Sequence, residues 1–427
     1  MHAIIKIFLV LSSVIGITNT DAFGLNKKKQ IPDVFYNTTY NTDIHTVLLR
    51  SATWELSLPV FELGSGQKLE LHFDDISNNN RILGYTIVHC NTDWKASDIP
   101  EQEYVSGFGR GTIKQIVSSF NTTYDYMHYS LTFPEEECTP LISGNYALVV
   151  YNEENPDEII LTRRFYVTEK AVQINAAVKQ PGFGPEKATG QQILFTVSYN
   201  NIEIKDPFNE ITAIILQNNR YDNKIVLKKP FSVMPGRLEY TDTEKGIFQG
   251  GNEFRSLDLK SMKYQTQNMA SIEFPNPYYH VFLNPDQDRS RKPYFSNTDL
   301  NGGYFIDREK ATDKHTEADY IFVHFRLSLP LIYSNDEIYI TGEFCDWDKT
   351  EKNRLKYNPQ RESFETTLLL KQGLYDYCYV KKTDDGKINE YDLEGSFYET
   401  ENDYTIFIYF HDFQKGTDRL IGYLPIK

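Results

Sequence analysis

Several groups of side chains carry types and spacings that could do chemistry. His89-Cys90 with Asp93 puts an imidazole, a thiol and a carboxylate in one short run, the parts of an activated nucleophile. His89 and Cys90 are neighbours in an alternating stretch, however, so their side chains point to opposite faces and cannot pair with each other. His72 or His128 would have to supply the base. Asp74-Asp75 and Asp93 are oxygen donors of the kind Ca²⁺ takes, but they lack the ligand order of a calcium loop, and short carboxylates in such places also cap turns. Glycoside cleavage needs two carboxylates at a fixed separation. No motif marks such a pair here, and an acidic cleft with one carboxyl held protonated would point to that chemistry. Gly250-Gly251-Asn252-Glu253-Phe254-Arg255 lacks the Gly-Lys-Ser/Thr ending of a phosphate loop and reads as a turn. The expectation is therefore of no catalytic residue, no metal and no cofactor. Trp54, Trp94 and Phe108 are candidate interface anchors, since buried aromatics carry much binding energy, or else core residues.

The elements that must position these residues are strands. Period-two alternation runs through Leu69 to Phe73, Tyr126 to Phe133, Tyr146 to Tyr151, Glu158 to Val167, Gln192 to Tyr199 and Glu337 to Thr341. Clusters of Gly, Pro, Asn and Asp separate the strands, and no amphipathic helix of four turns is present. Strands without alternating helices predict an all-β protein of three consecutive immunoglobulin-like β-sandwich domains. The expected bounds are 27–169 for the N-terminal sandwich, 170–308 for the middle one, 309–318 for a charged linker and 319–427 for the C-terminal one. Ahead of them, Lys6, the apolar run Ile7 to Ile17 and the polar Thr18 to Asp21 predict a signal peptide over 1–22, cleaved after Ala22. That run is shorter than the roughly 20 residues that span a bilayer, so no direct membrane insertion is expected.

A net charge of −15 argues against a nucleic-acid partner, whose phosphates need a basic face. The 30 Tyr and 27 Phe suit half-buried pleated surfaces, and exposed Tyr also suits binding faces. Cys90, Cys138, Cys345 and Cys378 allow three disulfide pairings, with Cys90–Cys138 and Cys345–Cys378 the two that stay within a domain, or four free thiols. Their spacing suits no zinc site.

From Glu337 to Trp347 a strand runs into Gly342 and a short polar loop, and Gly373 opens a later hairpin arm. This block resembles the early-set immunoglobulin-like modules that bind glucans, over roughly fifty residues. The resemblance implies a weak glucan contact at Trp347, although no second tryptophan completes a sugar platform. Trp347 otherwise serves as a structural cover on the sandwich edge.

Other distinctive strings follow one another along the first two blocks: Trp54 to Pro59, Leu71 to Asp75, Tyr85 to Trp94, Ser143 to Tyr146, Gln217 to Asn223, Gly250 to Arg255 and Asp299 to Tyr304. Taken in order, they resemble the plug family of the type IX secretion system. That resemblance implies a non-enzymatic periplasmic protein at the inner face of the outer membrane. It would bind the outer-membrane translocon barrel reversibly and close its periplasmic opening when cargo is absent. The alternative is a glucan-binding protein using Trp347.

Overall fold

The computed structural model describes residues 32–427 except Asn78, Ser334, Asp384 and Asp385. The predicted signal peptide and the start of the predicted first domain lie outside the described residues. Pro32–Lys427 forms one compact unit that is almost entirely β.

The first sandwich faces a sheet of Ile44–Ser51, Leu69–Asp75, Met127–Phe133 and Gln115–Ser118 against a sheet built on Asn155–Thr168, Gly144–Asn152 and Leu83–Cys90. Alternation does the sorting: Leu69, Leu71 and Phe73 are wholly buried while Glu70 and His72 reach the other face. Each such side chain contributes about 1.5–3 kcal/mol by leaving water. Leu83, Tyr85 and Ile87 meet them from the opposite sheet in one core.

The strand pairing beyond residue 170 departs from the expected division. The middle sandwich has one sheet of Gln173–Lys179, Gly190–Ser198, Arg237–Tyr240 and Ser232–Met234, with Ile247–Gln249 beside Gly190–Ser198. Its second sheet joins Ile211–Gln217 to Tyr404–Asp412, with Ile211 opposite Phe410 and Gln217 opposite Tyr404, and ends on Thr417–Ile426. The expected C-terminal domain thus gives its last two strands to the middle one. Conversely Arg255–Asp258 and Tyr304–Ile306 pair with Gly373–Lys382, and Tyr279–Leu283 pairs with Tyr320–Ser328. The third β unit is therefore inserted within the middle one, and its strands come from both sides of the expected joint at 308. It is an eleven-stranded sheet whose two ends contribute to a single core, with Leu257, Val281, Ile321, Phe325, Ile340 and Tyr377 in contact, so the sheet closes over on itself. An early-set domain confined to 319–427 is not what the pairing builds.

The segment expected to be a solvated linker is docked. Asp313 caps a single helical turn, Lys314–Glu317. The Tyr126 hydroxyl lies 3.1 Å from the His315 carbonyl and 2.7 Å from that of Ala318, and the Phe120 N–H donates to the Thr316 carbonyl at 2.9 Å. A segment poor in apolar side chains is held here through its main chain. Among the described residues no helix is long and apolar enough to cross a membrane.

Candidate functional site

The groups that suggested nucleophilic chemistry are placed against it. His89 and Cys90 are both buried and face opposite sides of their strand: His89 packs against Tyr104 and Tyr146, whereas Cys90 enters the core shared with the middle sandwich. Burial pushes the Cys90 thiol up to about 12, so no thiolate is available at neutral pH. All four cysteines are unbridged.

Burial also holds His89 down to about 4. The folded protein keeps the ring neutral while the unfolded chain, with a histidine pKa of about 6.5, takes up a proton. Stability is therefore full above about pH 6.5 and falls between there and about pH 4, by up to about 3 kcal/mol. His89→Gln is expected to flatten that limb, so that its urea midpoint drops less than that of the wild type between neutral pH and about pH 4.5. An unchanged slope would contradict the assignment.

The aspartates weighed as calcium ligands are spent on cations. Asp75 Oδ2 lies 2.8 Å from Arg81 Nε, and Asp93 Oδ2 lies 2.9 Å from Lys95 Nζ. Asp74 is enclosed by Lys371 Nζ at 2.6 Å, the Tyr320 hydroxyl at 2.7 Å and His128 Nδ1 at 2.7 Å. The turn at Gly250-Gly251 is as expected: Gly251 has φ +68°, and a side chain on Gly250 would meet the Phe397 carbonyl.

Among the carboxyls that titrate high, Asp299 and Asp376 are neighbours. Asp299 is raised to about 7 by burial and by the charge of Asp376, which burial itself raises to about 6. Both have their oxygens committed to main-chain N–H groups. Asp299 accepts from Phe254 and Asn301, and Asp376 accepts from Leu300, Gly302 and the Ser256 hydroxyl. The pair holds the Asp299–Gly303 turn in shape, and neither carboxyl is free to protonate a leaving group.

The four aromatic candidates separate by burial. Trp94 is 0% exposed, in the core that joins the first and middle sandwiches, with Tyr166 edge-on at 5.3 Å and the Arg164 guanidinium 4.4 Å above its ring. It is an internal anchor and has no face for a partner. Trp347 is 8% exposed: Arg220 covers one face at 4.2 Å, Phe254 packs edge-on, and Gly302 lies against its far rim. A sugar ring stacks on an open aromatic face, and this ring offers none, which removes the expected glucan contact. Trp54 is 48% exposed, with Lys427 Nζ 3.6 Å from its ring centre. Phe108 is 78% exposed.

Phe108 stands at the tip of a turn whose neighbours Gly107 and Gly109 both have positive φ. The N–H groups of Phe108 and Gly109 both donate to the Glu137 carbonyl, at 3.0 and 3.1 Å, so the tip is held rigid. Exposed Glu101, whose carboxylate lies against Gly109, and exposed Glu137 flank it. The result is an apolar ring on an acidic rim, mounted on a stiff scaffold.

Ion pairs and hydrogen bonds tie the three β units together. Arg50 and Arg163 of the first reach Glu343 at 2.7 Å and Asp346 at 3.3 Å in the third. Arg220 of the middle unit binds Glu390 of the third, and Lys349 of the third lies 2.9 Å from Asp222. Arg419 pairs with Glu169 at 2.6 Å, and Asp418 accepts from the N–H and hydroxyl of Thr92. A cleft of about 320 Å³ remains at this junction, lined by Tyr36, Arg163, Tyr221, Asp222 and Asp346 among others. Sequence reading missed this network, because its members lie hundreds of residues apart.

Geometry of this kind defines a scaffold of stacked β-sandwiches held in one arrangement. Residues 44–169 match the family model described as the type 9 secretion system plug protein 1st domain. The chain belongs to the type IX secretion system plug protein family. It is 33% identical to a hypothetical protein from Parabacteroides merdae ATCC 43184, solved by crystallography, over 92% of this chain and 99% of that one, with a TM-score of 0.87. Two other solved structures align with it at low TM-scores. One is the partial N-terminal region of an enterococcal surface protein, 7% identical over 94% of this chain and 97% of that one, with a TM-score of 0.20. The other is the alkylpurine DNA glycosylase AlkC of Pseudomonas fluorescens, 12% identical over 29% and 30%, with a TM-score of 0.18. No curated protein matches the chain.

Proposed function

We propose that this protein acts in the periplasm, where it closes the inner opening of the outer-membrane type IX translocon barrel while no cargo passes. It does so by reversible protein–protein contact and without catalysis. The family membership of residues 44–169 carries the reading. Two features support it. The three β units are cross-tied, so little ordering entropy is lost when the molecule seats. The charged surface, net −15 over the chain, favours an interface that can release.

Phe108 and Trp54 are the proposed contact anchors. Loss of a central aromatic anchor costs about 2 kcal/mol or more, roughly thirtyfold in affinity. Phe108→Ser is expected to recover much less barrel than the wild type in pull-downs from solubilised envelope, with unchanged thermal stability. A strain lacking the protein is expected to admit large solutes to the periplasm. Envelope pull-downs without a large outer-membrane barrel, or unaltered permeability in the deletion strain, would remove the reading.

A further inference from the structure

Three histidines far apart in the chain meet at one place. His72 lies on Leu69–Asp75, His128 on Met127–Phe133, and His315 on the docked turn Lys314–Glu317. One ligand atom from each lies within 4.8 Å of the others. The His72 and His315 rings stack at 4.1 Å, and His128 lies 5.3 and 5.2 Å from them, centre to centre.

Two features go beyond ring packing. First, His72 Nδ1 and His128 Nε2 are 3.1 Å apart. Two nitrogens bound at 2.0–2.1 Å to one tetrahedral Zn²⁺ lie about 3.3 Å apart. Second, the outer nitrogens are already oriented. The buried Asp74 carboxylate is paired with the Lys371 ammonium at 2.6 Å and so accepts hydrogen bonds. Its contact with His128 Nδ1 at 2.7 Å therefore fixes the proton there and leaves Nε2 with its lone pair toward the cluster. Glu70 Oε2 stands 3.5 Å from His72 Nε2, a looser contact than that of Asp74 with His128. A carboxylate behind a ligating imidazole is a usual outer support of a zinc-type site.

The cations nearby are engaged elsewhere: Lys371 sits 2.6 Å from both Asp74 Oδ2 and the His315 carbonyl, and Lys314 pairs with Glu55. His72 retains partial exposure, which gives an ion and a fourth, water ligand a way in.

We propose that His72, His128 and His315 bind one divalent late first-row cation of the Zn²⁺ class, which staples the first sandwich to the segment entering Tyr320–Ser328. Sequence analysis expected no metal. The inference is independent of the plugging role.

The test is titration of the chelator-stripped full chain with Co²⁺ and then Zn²⁺. Saturation at one Co²⁺ per chain with tetrahedral visible bands is expected, followed by displacement by Zn²⁺ and a raised melting temperature. His315→Ala and, separately, His72→Phe, each checked for folding by circular dichroism, should weaken Zn²⁺ binding at least a hundredfold. His280→Ala, in the neighbouring His280–His324 pair, should leave it unchanged. No saturable binding, binding that survives both variants, or sulfur-to-cobalt charge-transfer bands from the cysteines would each overturn the proposal.

Discussion

Asp74→Ala is expected to destabilise the protein by about 3–5 kcal/mol, because it leaves the Lys371 ammonium buried without its counter-charge. Both side chains are about 1% exposed, and they meet at 2.6 Å. The same carboxylate also orders the Tyr320 hydroxyl and His128, so the deletion strips three polar groups at once. The double variant Asp74→Ala/Lys371→Met removes the stranded charge and should recover a substantial part of the loss. Urea unfolding of the full chain separates the outcomes. A double variant no better than Asp74→Ala would show that the ammonium is not what makes the single change costly. The pair also sets an acid limit. Asp74 is depressed from about 3.8 to about 2, so its contribution of about 2 kcal/mol is complete above about pH 4 and is lost as pH falls through about 2. This lies below the His89 window.

Trp94→Ala is the second large effect, also about 3–5 kcal/mol, from loss of a fully buried indole and the cavity left behind. Its consequence is mechanical as much as thermodynamic. Around Trp94 the first sandwich contributes Phe35, Ala147, Val149 and Tyr166, and the middle one contributes Ile214, Leu216, Phe407 and Leu420. Removing the indole hollows out the joint, while the two larger cores on either side keep their own contacts. The expected result is a calorimetric transition that broadens or splits as the sandwiches cease to melt together, with Tyr221 and Arg164 losing their packing partner. A variant that still unfolds in one sharp step would place the coupling elsewhere, in the Arg419–Glu169 pair and the Asp418–Thr92 contacts.

The strands themselves were legible because alternation is a local property. Tyr146 to Tyr151 lies inside Gly144–Asn152, Glu158 to Val167 inside Asn155–Thr168, and Glu337 to Thr341 matches its strand end to end. Partner choice was not legible, since the pattern that puts Ile211 and Ile406 on a core face is the same whichever sheet receives them. The pairing of Ile211 with Phe410 closes a long loop that no local signal announces. The opposite orientation of His89 and Cys90 followed from strand geometry alone. Burial of single aromatics did not follow: Trp94 and Phe108 were equal candidates, and only the tertiary structure puts one in a core and the other on a turn. His72, His128 and His315 belong to the same class of hidden information, each unremarkable in its own segment.

Because the chain leaves the middle sandwich at Gln249 and re-enters it at Tyr404, that sandwich is assembled in two instalments. During synthesis, Ile211–Gln217 must wait for Tyr404–Asp412 with one edge unsatisfied, an open template for wrong partners. The order of emergence thus makes the middle unit the last to be completed although it is not the last to begin. A chaperone guarding the nascent protein would have its longest task there.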